Sequence, residues 1–493
     1  MRHNFNQPSL FVNSIGDIEF DIYSRHELMP ILMGIKHLYV EEAERLEQIL
    51  AMIEHDINPK PRKKAGRKGM SGWEILVLSS LRLGCNLDFD QLADLATNHR
   101  KIQEVLGYCD LDKKRYARST IHDNFNLLKS ETIDQVNMII IGIVHENCID
   151  PLVRVRADTC VMKKNIHYPT DTNLMYDGVR SIIRISVKIA GRFSLSGWRK
   201  HDYFRKKVKG IQREISQVAK SRKADRDERL KALYVRLMEA ANVIIAKAED
   251  MLVELTRIIS EENITLDPYW DGYVGELHYF IAGTEYVSRL AERRIIEGEK
   301  IPNPEKVFSL FEPDTELINR GKTPNPIEFG HRVLVVQDAS GVIIHSQMLD
   351  IGFTDEKIIT QVMRDLQERF NNKIRAVSFD KGFWTPNNLV DLSEIFDLVV
   401  LPKKGKLSEK DKGRQNGKEY KEVRKWHSGV ESAIGALIAG NGLGTCRDKG
   451  QDGYTRYLSM AVLGRNLQTF GNILVEKAKR EKKAEDLLLQ IAA

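Results

Sequence analysis

Apolar residues recur at steps of three and four along most of this chain, and at steps of two in only a few short runs. Residues 73–84 carry a helical stripe that stops at Gly84, and 88–96 and 102–106 follow as short helices. A further helix opens at 119–128, with Ser119 placed to cap it. Residues 1–150 therefore read as an all-α N-terminal domain. Short helices joined by tight turns fit a helix-turn-helix DNA reader or a plain packing domain. Farther on, Phe204, Val208, Ile211, Ile215 and Val218 step by four, three, four and three. Leu230, Leu233, Leu237, Ala241, Ile244, Ala248, Met251, Leu255 and Ile258 continue the pattern beyond a polar stretch at 221–229. This predicts two long amphipathic helices in an antiparallel hairpin, within a helical insertion spanning 172–325. The stripe suits packing inside the molecule ahead of a dimer seam.

Strand signals dominate after the insertion. Residues 331–338 and 342–349 flank Ala339-Ser340-Gly341 and predict a hairpin. A charged amphipathic helix follows at 355–370, a strand at 374–380, a helix at 388–396, a strand at 398–402 and a long helix at 420–438. One earlier strand, 152–161, precedes the insertion. With the insertion set aside the order is β-β-β-α-β-α-β-α, an α/β arrangement with a mixed sheet flanked by helices. The expected division is 1–150, a sheet domain from 151–171 and 326–475, the insertion at 172–325, and a charged C-terminal helix at 476–493.

Length and composition fit this picture. A chain of 493 residues exceeds what one core usually supports, and 42% hydrophobic with 29% charged residues is globular. The longest strongly apolar run, near 136–144, is too short to cross a bilayer, and the first residues lack a signal peptide's apolar stretch. Cys85, Cys109, Cys148, Cys160 and Cys446 form no CxxC pair, which argues against a zinc ribbon or disulfide framework and for a reducing, cytoplasmic setting. Net charge is +6, and residues 403–425 alone hold ten Lys/Arg against four Asp/Glu. A second basic run lies at 60–68. Such clusters suit a phosphate backbone, though a single run is commonly a solvated surface loop.

Three carboxylates stand where this architecture would converge them. Asp158 lies within the first strand, where a carboxylate needs a partner or a purpose. Asp380 ends the strand at 374–380, and sites in such sheets gather at the carboxyl ends of strands. Glu431 lies on the long helix after the last strand. Hard divalent cations, Mg²⁺ or Mn²⁺, suit these oxygens. Two such ions about 3.5–4 Å apart would clamp the attacking and leaving oxygens of a phosphodiester displacement. The plainer readings are that Asp380 caps the turn before Lys381-Gly382 and that Glu431 is an ordinary helical glutamate. Asp338 is a rival second ligand, although an Asp at a Gly turn usually serves the turn.

The same residues resemble a known family, the bacterial insertion-sequence DDE transposases. Asp158-Thr-Cys-Val-Met-Lys-Lys-Asn-Ile-His-Tyr-Pro-Thr-Asp171 is similar to the family's first catalytic segment, Ser378-Phe-Asp380-Lys-Gly-Phe383 to the second, and Trp426-His-Ser-Gly-Val-Glu431 to the third. Gly442–Arg447, Leu463–Leu467, and Gly66 onward through 73–107 also look like family sequence. The resemblance covers most of the chain outside 196–300. It implies an RNase H-like catalytic domain in which Asp158, Asp380 and Glu431 are catalytic and hold Mg²⁺, with Mn²⁺ as a substitute. Where relatives carry Arg one helical turn before the catalytic Glu, this chain has His427, with Arg424 a turn earlier; where some carry Lys seven residues after it, this chain has Ile438. The first two acids are 222 residues apart and the last two 51.

The expected function is metal-dependent cleavage of double-stranded DNA at an element's terminal inverted repeats, then strand transfer into target DNA. A homodimer would hold the two ends, in the cytoplasm with the nucleoid and with no membrane. Lys403, Lys404, Lys406, Arg414, Arg424 and His427 are the expected DNA contacts, in a segment whose Gly413 and Gly417 suggest mobility before DNA binds. Pro169-Thr170-Asp171 would lead into a helix capped by Asp171 or Thr172. The rivals are a catalytically inactive or domesticated DNA-binding derivative, and an RNase H-like nuclease that cuts without joining.

Overall fold

The computed structural model describes residues 14–58, 69–108, 114–321 and 326–492, so the basic run at 60–68 and Cys109 lie outside the described residues. The first helices are α1 (Leu28–Val40), α2 (Ala43–Ile57), α3 (Gly72–Gly84), α4 (Phe89–Asn98), α5 (Arg100–Val105), α6 (Arg118–Phe125) and α7 (Ser130–Glu146). Local chemistry fixes their starts. Ser71 and Glu74 form a reciprocal capping box on α3, and Asp88 and Gln91 do the same on α4. Ser119 does not cap α6; that helix begins one residue earlier, with Ala117 at the cap position and no side-chain cap.

Strand β1 (Arg154–Lys164) comes next, followed by four helices, α8 (Asp171–Phe193), α9 (His201–Val218), α10 (Arg226–Glu261) and α11 (Pro268–Ala291). The remainder is β2 (Glu316–Asn319), β3 (Ile327–Asp338), β4 (Ile343–Met348), α12 (Asp355–Arg369), β5 (Ala376–Ser378), α13 (Pro386–Ile395), β6 (Leu398–Val400), α14 (Glu409–Asn416), α15 (Lys418–His427), α16 (Gly429–Gly440), β7 (Thr445–Cys446) and α17 (Gly450–Ala492). The chain forms two compact units, one joining residues up to Asn165 with those from Ile318 onward, the other Ile166–Leu317.

The first unit is built on a seven-stranded mixed sheet. β1 is central. It runs antiparallel to β3 on one side and parallel to β5 on the other; β6 continues parallel to β5, and β4 pairs antiparallel with β3. Helices α1, α3 and α7 pack along α17, and their apolar side chains join those of the sheet in one core. The expected N-terminal domain at 1–150 is therefore part of the sheet's unit, and the expected C-terminal helix at 476–493 is the end of α17. Close backbone approach explains the union: a Cβ on Gly464 would stand 2.8 Å from the Gly84 Cα, so α3 and α17 cross glycine on glycine. Another such approach joins β1 and β3, where a Cβ on Gly330 would stand 2.7 Å from the Lys163 Cα, a backbone atom that cannot swing away. Gly330→Val is expected to destabilise the protein by roughly 2–4 kcal/mol through overpacking. A urea titration with an unchanged midpoint would count against this close packing.

The second unit is a four-helix assembly with its own core. The expected α9–α10 hairpin is present, and its stripe is interior: Val208, Ile211 and Ile215 pack with Leu237, Ala241 and Ile244. Thr170, rather than Asp171 or Thr172, caps α8, accepting from Asn173 N at 3.2 Å, while Asp171 pairs with Arg294. Among the described residues no helix is long and apolar enough to cross a membrane.

Candidate functional site

Sheet register brings two of the expected acids side by side. β1 and β5 run parallel with Arg156 opposite Ser378, and two residues farther along each segment stand Asp158 and Asp380. Both line a recess of about 250 Å³ together with Thr159, Arg320, Arg332 and Asp355. Asp355 is the first residue of α12 and was not among the expected site residues. Thr159 ties the acids together: its N–H donates to Asp158 Oδ1 at 2.7 Å and its hydroxyl to Asp355 Oδ2 at 3.1 Å. The other Asp355 oxygen is buried without a hydrogen bond and lies 3.9 Å from Arg332.

Burial pushes the Asp158 carboxyl up to about 6; the Thr159 N–H opposes this, the Asp380 and Asp355 charges add to it, and Arg320 offsets part. Burial likewise raises Asp355, with the Thr159 hydroxyl and Arg332 opposing and Asp380 and Glu356 adding. Asp380 Oδ1 accepts from the Gly382 N–H, so it does cap its turn. Among the described residues, that leaves the second oxygen of Asp380, like that of Asp158, without a hydrogen-bond partner. Asp338 serves its turn completely: Oδ1 accepts from Ser340 N and Oγ and from Gly341 N, and Oδ2 meets His145 Nε2 at 2.7 Å.

Glu431 does not line this recess. It is exposed, in the first turn of α16. The helix before it, α15, is nonetheless fastened to β1 through Trp426. Arg156 donates to the Trp426 carbonyl at 2.6 Å and twice to Gln337 Oε1, and its guanidinium stacks 4.4 Å from the Trp426 ring. A Cβ on Gly429 would press within 3.1 Å of that guanidinium carbon, so the chain enters α16 flush against Arg156. Arg156→Leu removes three charge-assisted hydrogen bonds and is expected to cost roughly 2–4 kcal/mol. A melting temperature equal to the parent's would show that Arg156 does not fasten α15 to the sheet.

The expected DNA contacts separate into two groups. Lys403 pairs with Asp411 at 2.6 Å, Arg414 donates to the Leu401 carbonyl at 3.0 Å, and Arg424 donates to the Phe379 carbonyl beside Asp380 at 3.0 Å. His427 is 5% exposed. Burial, with Arg424 and Arg156 nearby, lowers its pKa to about 4, so it is a neutral interior ring and not a surface phosphate contact. Lys404 and Lys406 are exposed, and Lys404 Nζ reaches the Gly382 carbonyl at 3.0 Å, next to the Asp380 turn. In the segment expected to be mobile, residues 403–408 are irregular and those from Glu409 on form α14 and α15, with Ser408 and Asp411 making a capping box on α14.

Among the described residues no three His, Cys, Asp or Glu side chains are gathered closely enough to hold a metal by themselves. The fit of a divalent ion rests on Asp158 and Asp380. Mg²⁺ commonly takes one or two carboxylates and completes its shell with water and substrate phosphates, and each Asp keeps one oxygen free for it.

No family model matches the sequence, and no solved structure matches it. A stretch of 173 residues, 33% of this chain, is 25% identical to part of the DNA-directed RNA polymerase subunit beta' of a Sulfurihydrogenibium species. The matched stretch spans 11% of that subunit's length, too small a share for its activity to be carried over.

Proposed function

We propose that this chain is a DDE-type transposase with an RNase H-like catalytic domain, cutting DNA at the ends of a bacterial insertion sequence and joining those ends to target DNA. The observation that carries the reading is that Asp158 and Asp380, each two residues past the paired Arg156 and Ser378, line one recess where burial and mutual repulsion lift a carboxyl pKa. A sheet running antiparallel through β4, β3 and β1, then parallel through β5 and β6, is the support for the RNase H-like assignment. Groups with displaced pKa values in a cleft mark functional sites more often than chance.

Asp158 and Asp380 are the residues that would hold Mg²⁺ or Mn²⁺. When bound, the ion would supply Lewis acidity that eases loss of a proton from a water or from a DNA 3′-hydroxyl near neutral pH. The protein's share is placement. Thr159 orients Asp158, the Gly382 N–H orients Asp380, and Arg320 and Arg332 put positive charge at the recess for a phosphodiester. Glu431 is the proposed third acid; it stands in the first turn of α16, whose lead-in at Trp426 is fastened by Arg156 two residues before Asp158, and its side chain would turn toward the recess. Holding two DNA ends at once calls for two copies of the chain.

A second reading has one observation in its favour: Glu431 stands outside the recess, as it would in an inactive derivative that only binds DNA. Incubating the full chain with the DNA flanking its own gene, in Mg²⁺, Mn²⁺ or EDTA, separates them. Metal-dependent nicks at the element's ends support the transposase, and joined products separate it from a nuclease that only cuts. Binding without cutting in either metal supports the derivative.

A further inference from the structure

The second unit carries a large excess of positive charge of its own. Residues 199–223 hold ten Lys/Arg against two Asp/Glu, an excess of eight in a chain whose whole net charge is +6. Most of this segment is α9. Its apolar side, Val208, Ile211, Ile215 and Val218, is buried in the core of its unit. Its outer side therefore carries the charge: Lys206 and Arg213 are exposed seven residues apart on one helical face, exposed Lys207 flanks that line, and exposed Lys220 follows seven residues on, in the turn just past the helix.

The two acids in the segment do not neutralise that face. Asp202 is taken by Arg205 at 2.8 Å and Glu214 by Arg236 of α10 at 3.2 Å. Gly210 sits midway along the stripe with open space where a Cβ would point. A mid-helix glycine costs roughly 0.5–1 kcal/mol relative to alanine, and here it leaves the backbone open to close approach. From Lys206 to Arg213 the stripe runs about 10 Å along the helix at 1.5 Å per residue, and Lys220 extends it beyond the helix end.

We propose that the outer face of α9 grips the phosphate backbone of duplex DNA without reading its sequence. This rests on the reading that the chain acts on DNA and adds the surface that holds it. A rod of fixed cations suits a polymer carrying one negative charge per about 1.7 Å of axis, whose counterions are released on contact. A membrane surface fits less well, because stable anchoring adds an inserted apolar face or lipid chain to the basic patch, and the apolar face of α9 is already used inside its unit.

The test is binding of the full chain to a fluorescein-labelled duplex of random sequence, about 30 base pairs long, measured by anisotropy across a salt series. Neutralising all four positions (K206A, K207A, R213A and K220A together) is expected to flatten the slope of log affinity against log salt by about 3–4, near 0.9 per lost phosphate contact. The charge-keeping set K206R, K207R, R213K and K220R should restore it. An unchanged slope in the neutralised protein, at an unchanged melting temperature, overturns the inference, and so does a parent chain that does not bind the duplex. The catalytic reading is judged separately: stripe-dependent binding without metal-dependent cutting keeps this inference and removes the transposase, whereas cutting with an unchanged slope does the reverse.

Discussion

Asp158→Asn is expected to lose DNA cleavage by at least about a hundredfold, ~2.7 kcal/mol of barrier, while making the metal-free protein harder to unfold. Both halves come from the same burial. The folded protein holds the Asp158 proton more tightly than the unfolded chain does, with the carboxyl raised from 3.8 to about 6. Its contribution to stability is therefore complete below pH 3.8 and is lost as pH rises through about 6. A displacement of that size is worth roughly 3 kcal/mol, lost by the parent over that window and kept by the asparagine variant. Above pH 7 in EDTA the variant should melt a few degrees higher. Mg²⁺ should then raise the parent's melting temperature, by supplying the charge that Asp158 and Asp380 lack, and should leave the variant nearly unmoved. Gain of stability with loss of activity is what an assembled charged site produces on neutralisation. Equal melting of the two proteins in EDTA, or full cleavage by the variant, would remove Asp158 from the site.

The parts legible in the sequence were those with a local signal. Alternating apolar residues marked β1, β3 and β4, and the Asp-x-x-Gly turn at 338–341 located the hairpin. The seven-residue recurrence marked α9 and α10. What was missed had either no local signal or an ambiguous one. Asp355 stands in the first turn of a helix, where acids are common because they favour the positive end of the helix dipole, so nothing marked it as a site residue. Only the fold, by running Thr159 past it, brings it into the recess. The merging of the N-terminal helices with the sheet depends on Gly84 against Gly464, two residues 380 positions apart. β7 has two residues, too few for any period to show. α11 is different, because its start was readable: Asp267 accepts from the Tyr269 and Trp270 N–H groups and Pro268 follows the cap. Its aromatic-rich face obscured the helical period.

The third acid decides how the site is completed, and Glu431 and Asp355 can be separated directly. Asp355 already gives Oδ2 to the Thr159 hydroxyl and has Arg332 near Oδ1, so it is largely committed to the protein. Glu431 is exposed and committed to nothing described, and turning its side chain toward Asp158 would break no hydrogen bond. Glu431→Gln should therefore lose cleavage by at least about a hundredfold, with melting temperature and duplex affinity unchanged, since no contact is removed. Asp355→Asn should lose no more than roughly tenfold, as a residue that shapes its neighbours rather than the reacting phosphate. It should also melt slightly higher, because burial disfavours its charge. The metal requirement gives an independent reading: Glu431→Gln should need far more Mg²⁺ for whatever cleavage remains, and Asp355→Asn little more than the parent. If instead Asp355→Asn is inactive and Glu431→Gln cuts normally, the third acid is the one that already lines the recess. The fastening of Trp426 by Arg156, just ahead of the helix carrying Glu431, would then serve the sheet's stability alone.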